Sequence, residues 1–374
     1  MKKTRDIIIL GPNSFSFLNF RYDFLIELKR KYNVIIVGNI ENIHTKKFKK
    51  LGIKFFNTKM NNSKIEIIKD IFIFFKILKL VIQTKPKFIV SYTIKSNLIS
   101  GILSYFFCKK IYFFSFLTGL GNIYLACKNS FIKKKIFFLF YKIIFKKNNL
   151  VFFQNKDDLK LFKKNKITKN NSKLNFITGV NVSKIKPQKH PKGVNFLMIS
   201  RIIKNKGVYE YLMAANSLKK KYKKVNFYFA GKFDNSNYSL SKKKFYRLIK
   251  ENIYYLGWKT NIVDAIKKCN VVVLPSYREG LPRSILEGMA MEKAVLVSNV
   301  PGCRETIQKN YNGFFIKDKN HKSLISGMKK FIINKKIISV FGKRSRILVI
   351  RKFDSKKIAK EIVKNIEKCV EYQA

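Results

Sequence analysis

Residues 271–290 read VVVLPSYREGLPRSILEGMA, and this stretch decides how the rest of the chain is read. An apolar run of strand length, rich in valine, ends at Pro275. A short unbroken run of this kind fits a strand covered on both faces, as in a parallel sheet. A loop containing Gly280 follows, and Pro282 then introduces a helix-like segment from Arg283 to Met291. Proline suits the first helical turn, where its missing N–H costs nothing. Strand, loop and helix in that order put polar loop residues at the carboxyl end of a parallel strand, where open α/β sheets bind ligands. Two acids, Glu279 in the loop and Glu287 on the helix, stand out in a chain with only 21 Asp and Glu. The amides of Gly280, Leu281 and the first helical turn are suited to phosphate or sugar oxygens. Taken alone, the two glutamates also fit an ordinary loop acid and an ordinary helix residue.

The same alternation extends in both directions. Upstream in the second half, strands are expected at Asn195–Ser200, Val225–Ala230 and Asn252–Leu256, with helices at Gly207–Lys221 and Asn261–Lys267. Ala294–Ser298 reads as the next strand. In the first half, strands are expected at Asp6–Leu10, Asn33–Val37, Phe88–Ser91, Ile111–Phe114 and Leu150–Phe153. Helical patterns lie between them at Arg21–Lys31, Ile65–Gln83 and Asn97–Phe107. Residues 178–193, TGVNVSKIKPQKHPKG, read as a linker because of their prolines and glycines. The expected architecture is α/β, with two doubly wound domains facing across a cleft. The divisions are 1–186, 187–354 and a final amphipathic helix in 355–374.

Three further strand ends carry candidate residues. Ser200–Gly207, SRIIKNKG, offers Arg201 and Lys206 beside a helix N-terminus. Both would project into the cleft, a good arrangement for a diphosphate; the segment alone also fits a solvated basic loop. Leu256–Lys259 holds Trp258, the one tryptophan of the chain. It fits a base pocket, or a core or surface position. Gly11–Ser14 follows the first strand, with no GxGxxG dinucleotide fingerprint. The histidines His44, His190 and His321 are isolated and read as loop or linker residues, no HExxH, GxSxG or Walker loop occurs, and no metal site is expected.

The net charge of +58 invites a nucleic-acid or membrane reading. Its distribution does not single out a basic module: residues 1–186 carry a net +30 and the remainder +28. Arg supplies only 11 of the 79 basic residues, and Lys, Phe, Ile, Asn and Tyr, which share AT-rich codons, are abundant together. A low-GC genome accounts for that pattern. Five scattered cysteines without a CxxC pair exclude a disulfide scaffold and fit a reducing compartment. The start, MKKTRDIIILGPNSF, lacks the pattern of a signal peptide, and the longest uncharged run, Ile111–Cys127, is too short to span a bilayer. Phe131–Lys147 is basic and aromatic, and fits either a bilayer interface or a helix covering the sheet with lysines at its edge.

At these residues the chain resembles the retaining family 4 glycosyltransferases of the GT-B fold, in the branch that builds capsule, O-antigen and protein-linked glycans. The resemblance rests on SRIIKNKG, YLGWKTNI, VVVLPSYREGLPRSILEGMA and the Glu279–Glu287 spacing in the second half. In the first half it rests on NFR (19–21), SYTIKSN (91–97), TGLG (118–121) and VFFQNKDDLKLF (151–162). It implies that Arg201 and Lys206 hold the donor diphosphate, that Glu287 binds the ribose hydroxyls and that Glu279 contacts the donor sugar. The amides of Gly280 and Leu281 then serve sugar and phosphate, and the region of Trp258 lies near the base. Gly11, Lys95 and Thr118 fall on the acceptor side, and the last helix returns to the first domain. Many relatives carry a histidine in the loop after the fourth strand; here that loop reads Tyr92-Thr93-Ile94-Lys95. The implied activity is transfer, with retention, of a hexose or N-acetylhexosamine from a nucleotide-diphosphate sugar, UDP by analogy. The implied acceptor is a polyprenyl-diphosphate glycan at the inner face of the cytoplasmic membrane, with an anionic lipid surface as partner, no metal or other cofactor and no specific nucleic acid. A sugar-nucleotide epimerase of the same architecture, or a basic membrane- or nucleic-acid-binding protein without catalysis, are the competing readings.

Overall fold

A computed structural model of the chain describes residues 5–60, 66–106, 111–127, 129–168, 172–234, 239–249 and 252–372. Ile65 and Phe107, ends of two helices expected above, lie outside them. The chain divides into two compact units, one formed by residues up to Thr178 together with the segment from Ser355 onward, the other by Gly179–Asp354.

The first unit holds seven strands: β1 (Asp6–Asn13), β2 (Asn33–Asn39), β3 (Lys54–Asn57), β4 (Phe88–Tyr92), β5 (Tyr112–Leu117), β6 (Leu150–Phe153) and β7 (Ser172–Leu174). Their order is β3-β2-β1-β4-β5-β6-β7, and each neighbouring pair is parallel. The order reverses between β1 and β4, which leaves a crevice at their carboxyl ends. Ile7 to Leu10 are at most 1 % exposed, because helices cover both faces and every position of the strand is interior. One face packs Ile7, Ile9, Phe114 and Phe152 against the helix Tyr22–Lys29 and the last helix, Ser355–Tyr372, which contributes Ile358, Ile362 and Ile366. On the opposite face, Ile8, Leu10, Ile89 and Phe113 meet the helices Ile67–Thr84 and Ile94–Phe106. Leu117, Val151 and Phe153 continue that face beneath the helix Phe131–Phe145. Gly101 lets two of these helices cross closely: a Cβ there would stand 2.8 Å from the Ile144 carbonyl oxygen.

The second unit has β8 (Asn195–Ile199), β9 (Asn226–Ala230), β10 (Tyr254–Tyr255), β11 (Val271–Leu274), β12 (Ala294–Ser298) and β13 (Gly313–Ile316). Their order is β10-β9-β8-β11-β12-β13, again parallel throughout. Here the order reverses between β8 and β11, paired through Val271↔Phe196 and Val273↔Met198. Several edges differ from the sequence reading. The strand expected over Asn252–Leu256 is only Tyr254–Tyr255, and the helix expected to start at Asn97 starts at Ile94. Strands β3, β7 and β13 and the helices His321–Ile333 and Lys336–Lys352 fall outside the elements delineated above.

The segment read as a linker is packed structure. Val180 is fully buried and bonds Phe353 through its N–H, and the Arg346 guanidinium donates to the carbonyls of Val182 and Ile185. The units therefore divide after Thr178, eight residues before the expected 186. Among the described residues no helix is long and apolar enough to cross a membrane.

Candidate active site

The loops that leave β8 and β11 touch, because their strands are neighbours at the point where the sheet order reverses. After β8 the chain runs through Ser200–Ile203 into a single 3-10 turn, Lys204–Lys206, and on through Gly207 to the helix Val208–Lys221. Gly207 has φ 73°, and a Cβ on it would stand 2.1 Å from the Pro275 carbonyl oxygen. Glycine is thus required both by the left-handed backbone and by the approach of the second loop. The Tyr277 N–H donates to the Asn205 carbonyl at 2.9 Å and fixes the loops in register.

This contact brings Lys206 Nζ to 2.5 Å from Glu279 Oε1. The Ser276 hydroxyl donates to the same oxygen at 2.6 Å. A third strand end steadies Glu279 from behind: its N–H donates to the Pro301 carbonyl at 3.1 Å. Gly302, with φ 78°, lies so close that a Cβ would stand 2.5 Å from the Glu279 carbonyl oxygen and 2.6 Å from that of Gly280. Cys303, beneath this turn, is fully buried, and burial together with the Glu279 charge pushes its thiol up. The ends of β8, β11 and β12 therefore converge on one lysine–glutamate pair.

The other candidates of the second unit lie around it. Arg201 was expected to form an open pair of cations with Lys206. Instead its guanidinium binds Asp234, after the end of β9, at 2.6 Å, so each cation has its own carboxylate. The tightly packed backbone forces this pairing on Lys206, while Arg201 stays half-exposed. Pro282 is the cap before the helix Arg283–Ala290 rather than its first residue, and its carbonyl accepts from Ile285 and Leu286. Gly280 and Leu281 span the gap between Glu279 and that cap, and Leu281 is buried. Glu287 accepts from Arg283 Nε at 2.8 Å, one turn back. Burial raises the Glu287 carboxyl above its usual range, against the pull of Arg283. Trp258 is half-exposed after β10, with Lys232 Nζ 4.8 Å from its ring centroid. Tyr277 donates to Glu210 Oε1 at 2.6 Å, and burial with the nearby carboxylate pushes its phenol up.

Asp234, Ser276, Lys232 and the Gly302 turn were not singled out from the sequence. Ser276 lay within the quoted motif, and Asp234 follows a strand end in AGKFD. Nothing local marks either as a partner of a residue dozens of positions away.

In the first unit Gly11, expected just after β1, lies within it because the strand runs on to Asn13, and Lys95 and Thr118 follow the adjacent strands β4 and β5. A Cβ on Gly11 would stand 2.4 Å from the Tyr92 ring. Lys95 is partly buried and bonds Asp70 Oδ1 at 2.6 Å, so its ammonium is engaged in tying two helices together. Thr93, two residues earlier, has φ 77°, a strained backbone for a β-branched residue. Arg21, from the NFR motif, is buried with its guanidinium on the Ile177 carbonyl and 4.9 Å from the Tyr92 ring centroid. Two of the three histidines also depart from expectation. His44 sits within the helix Asn42–Lys50 and contacts the Ser14 hydroxyl, and His321 opens the helix His321–Ile333. Local helix signals there were masked by polar flanks.

The second unit thus presents two cations held by carboxylates, a serine hydroxyl and a buried acid at the carboxyl ends of adjoining strands. Such a set suits a polyanionic ligand that also carries hydroxyls. The family model described as glycosyl transferases group 1 matches residues 180–348. A Campylobacter jejuni protein named N,N'-diacetylbacillosaminyl-diphospho-undecaprenol alpha-1,3-N-acetylgalactosaminyltransferase is 31 % identical over 328 residues, which are 83 % of this chain and 84 % of that protein. A Staphylococcus aureus protein, the capsular polysaccharide biosynthesis glycosyltransferase CapM, is 25 % identical over 45 % of each chain. Among solved structures, Anabaena HepE in complex with UDP and glucose aligns with a TM-score of 0.78 at 15 % identity, covering 97 % of this chain and all of that one. The fold is that of the GT-B glycosyltransferases, and the chain belongs to the group 1 glycosyltransferase family.

Proposed function

We propose that the protein transfers a hexose or N-acetylhexosamine from a UDP-sugar to a polyprenyl-diphosphate-linked glycan with retention, in surface polysaccharide or glycan assembly. The observation that carries this reading is the Lys206–Glu279 pair at the carboxyl ends of β8 and β11, with Ser276 on the same carboxylate. The acceptor class is supported by the name of the Campylobacter relative and the donor class by the UDP in the HepE complex.

As the bond from the sugar C1 to the diphosphate oxygen breaks, negative charge grows on the diphosphate. Lys206 and Arg201 stabilise it, which is electrostatic preorganisation of the kind that supplies the largest catalytic term. The acceptor hydroxyl attacks from the same face, its oxygen bonds C1, and its proton passes to the leaving phosphate. Glu279 aims Lys206 and takes a sugar hydroxyl; Glu287 takes the ribose hydroxyls. Two fixed cations supply the charge that a divalent metal would otherwise bring, so turnover is expected to persist in chelator. The protein works as a peripheral protein on the cytoplasmic face of the membrane, with the helix Phe131–Phe145 at the lipid surface, and no nucleic acid enters this reading.

Calorimetric titration with UDP, GDP and ADP at moderate salt, on the wild type and on Arg201→Ala and Lys206→Ala, tests it. The expected result is selective UDP binding that both variants lose. Equal weak binding of all three nucleotides that persists in the variants refutes it, because a +58 chain attracts any phosphate.

A further inference from the structure

The helix Ile67–Thr84 buries one side on the sheet and leaves a second apolar side in solvent. Ile67, Ile68, Ile71, Phe72 and Phe75 are each more than half exposed. The helix Phe131–Phe145 does the same: it buries Phe137, Phe138, Tyr141 and Ile144, while Ile132, Ile136, Leu139 and Ile143 are each more than half exposed. Those four recur at intervals of four, three and four residues, which makes one continuous stripe along the outer side of the helix. A helix apolar on both sides has a second covering.

The two stripes belong to one surface. Phe113 and Leu117 lie on the same side of β5, four residues apart, the first beneath the Ile67–Thr84 group and the second beneath Phe131–Phe145. Both helices therefore cover the same face of the sheet. Between them runs Ile94–Phe106, which ends in exposed Phe106. Each helix leads back to the start of a parallel strand, so its first half lies near the carboxyl edge of the sheet. The exposed residues Ile67 to Phe75 and Ile132 to Leu139 sit in or near those first halves. They therefore flank the edge that holds Gly11, Lys95 and Thr118. The Lys95–Asp70 ion pair fastens the start of Ile67–Thr84 to the start of Ile94–Phe106.

Charge identifies the occupant. Lys69, Lys76 and Lys79 are exposed on the first helix, and Lys133, Lys135 and Lys142 on the second. A second copy of the chain would bring two such lysine arrays together, whereas an anionic lipid surface takes the apolar stripe and the lysine rim at once. We infer that the helices Ile67–Thr84 and Phe131–Phe145 together seat the first unit on an anionic bilayer, with the carboxyl edge of its sheet beside the lipid. This deepens the lipid-linked acceptor reading above: the acceptor's chain stays in the bilayer while its saccharide reaches the sheet edge.

The test is flotation of the full chain with vesicles of phosphatidylglycerol and phosphatidylcholine, and with phosphatidylcholine alone. The variants are Ile68→Glu/Phe72→Glu and Ile132→Glu/Ile136→Glu, all at exposed positions. Binding is expected on the anionic vesicles only, and each pair is expected to weaken it about tenfold or more. UDP affinity should stay unchanged in both. Wild-type affinity in the Ile68→Glu/Phe72→Glu variant overturns the inference, as does equal binding to neutral vesicles. A lipid-free dimer that either pair dissolves overturns it in favour of a second copy. Should a paired variant misfold, Phe72→Trp and Leu139→Trp in a Trp258→Phe background replace it. Quenching of both by brominated lipid supports the two-helix surface, and quenching of only one overturns it. Wild-type protein that floats with vesicles yet binds no nucleotide removes the transferase reading and leaves this surface standing.

Discussion

Replacing Lys206 with methionine keeps most of the unbranched side chain and removes its charge. The lysine lies 2.5 Å from Glu279 with side-chain exposures of 22 % and 10 %. An exposed ion pair contributes about 0–1 kcal/mol, and breaking a buried one costs about 3–5 kcal/mol. This pair stands between those limits, so Lys206→Met is expected to cost about 2 kcal/mol of stability. The loss is bounded because the Ser276 hydroxyl remains on the stranded carboxylate. Catalysis suffers more: one preorganised group facing the developing charge is worth about 3–4 kcal/mol, a factor of about 100–1000 in kcat. Glu279→Gln breaks the same contact from the other side. The double variant should therefore lose about 1–2 kcal/mol less than the sum of the two single losses. Urea unfolding measures the stabilities, and release of nucleoside diphosphate from a turned-over donor measures kcat. A Lys206→Met enzyme within about threefold of wild-type kcat, or stability losses that simply add, refutes the reasoning.

Three other outcomes follow from the same geometry. Gly302→Ala places a methyl group 2.5 Å from the Glu279 carbonyl and in a left-handed backbone, so it should lower the thermal midpoint and weaken UDP binding together; an unchanged UDP titration contradicts the role given to that turn. Glu287 holds its proton more tightly when folded than its usual 4.5, so its contribution is complete below that value and is lost as pH rises through the raised one. Glu287→Gln should therefore gain stability relative to wild type between acid and neutral pH, while UDP binding weakens about ten- to hundredfold, as urea melts and calorimetry would show. Burial and Lys293 push His190 below its ordinary 6.5, so it contributes stability above that pH and loses it as pH falls through the depressed value; His190→Asn should flatten that acid-side slope in a pH series of melts.

The parts of the fold legible in the sequence are those whose signal is local. Strand β11 is an unbroken apolar run and β1 holds one from Ile7 to Leu10, and such runs announce a covered parallel strand wherever they occur. Strands β3 and β7 are short and mix lysine and asparagine or serine with apolar residues, so nothing separates them from loops. The supposed linker misled for a different reason. Its prolines and glycines are real turn signals, but what packs it is Arg346, some 160 positions on, which no window of sequence connects to Val182 and Ile185. The site divides along the same line. Glu279, Lys206 and Arg201 were readable from residue type and strand-end position. Which cation meets which acid was not, because that follows from β8 lying beside β11 and β9 beside β8. The importance of Gly207 and Gly302 rests on a backbone angle and a carbonyl supplied by another loop.

The last helix has a consequence for how the protein is made. Ser355–Tyr372 supplies Ile358, Ala359, Ile362, Val363, Ile366 and Val370 to the core of a unit whose other residues end at Thr178. The whole second unit is thus an insertion, entered and left at neighbouring points, since Val180 bridges to Asp354. At ribosomal speed roughly ten to forty seconds separate synthesis of Thr178 from that of the final helix. The second unit is complete in sequence only about 1–4 s before the final helix, and until then the older half of the chain waits with part of one face of its sheet uncovered. A message cut short before codon 355 therefore leaves a complete second unit attached to a first unit that lacks its closing helix.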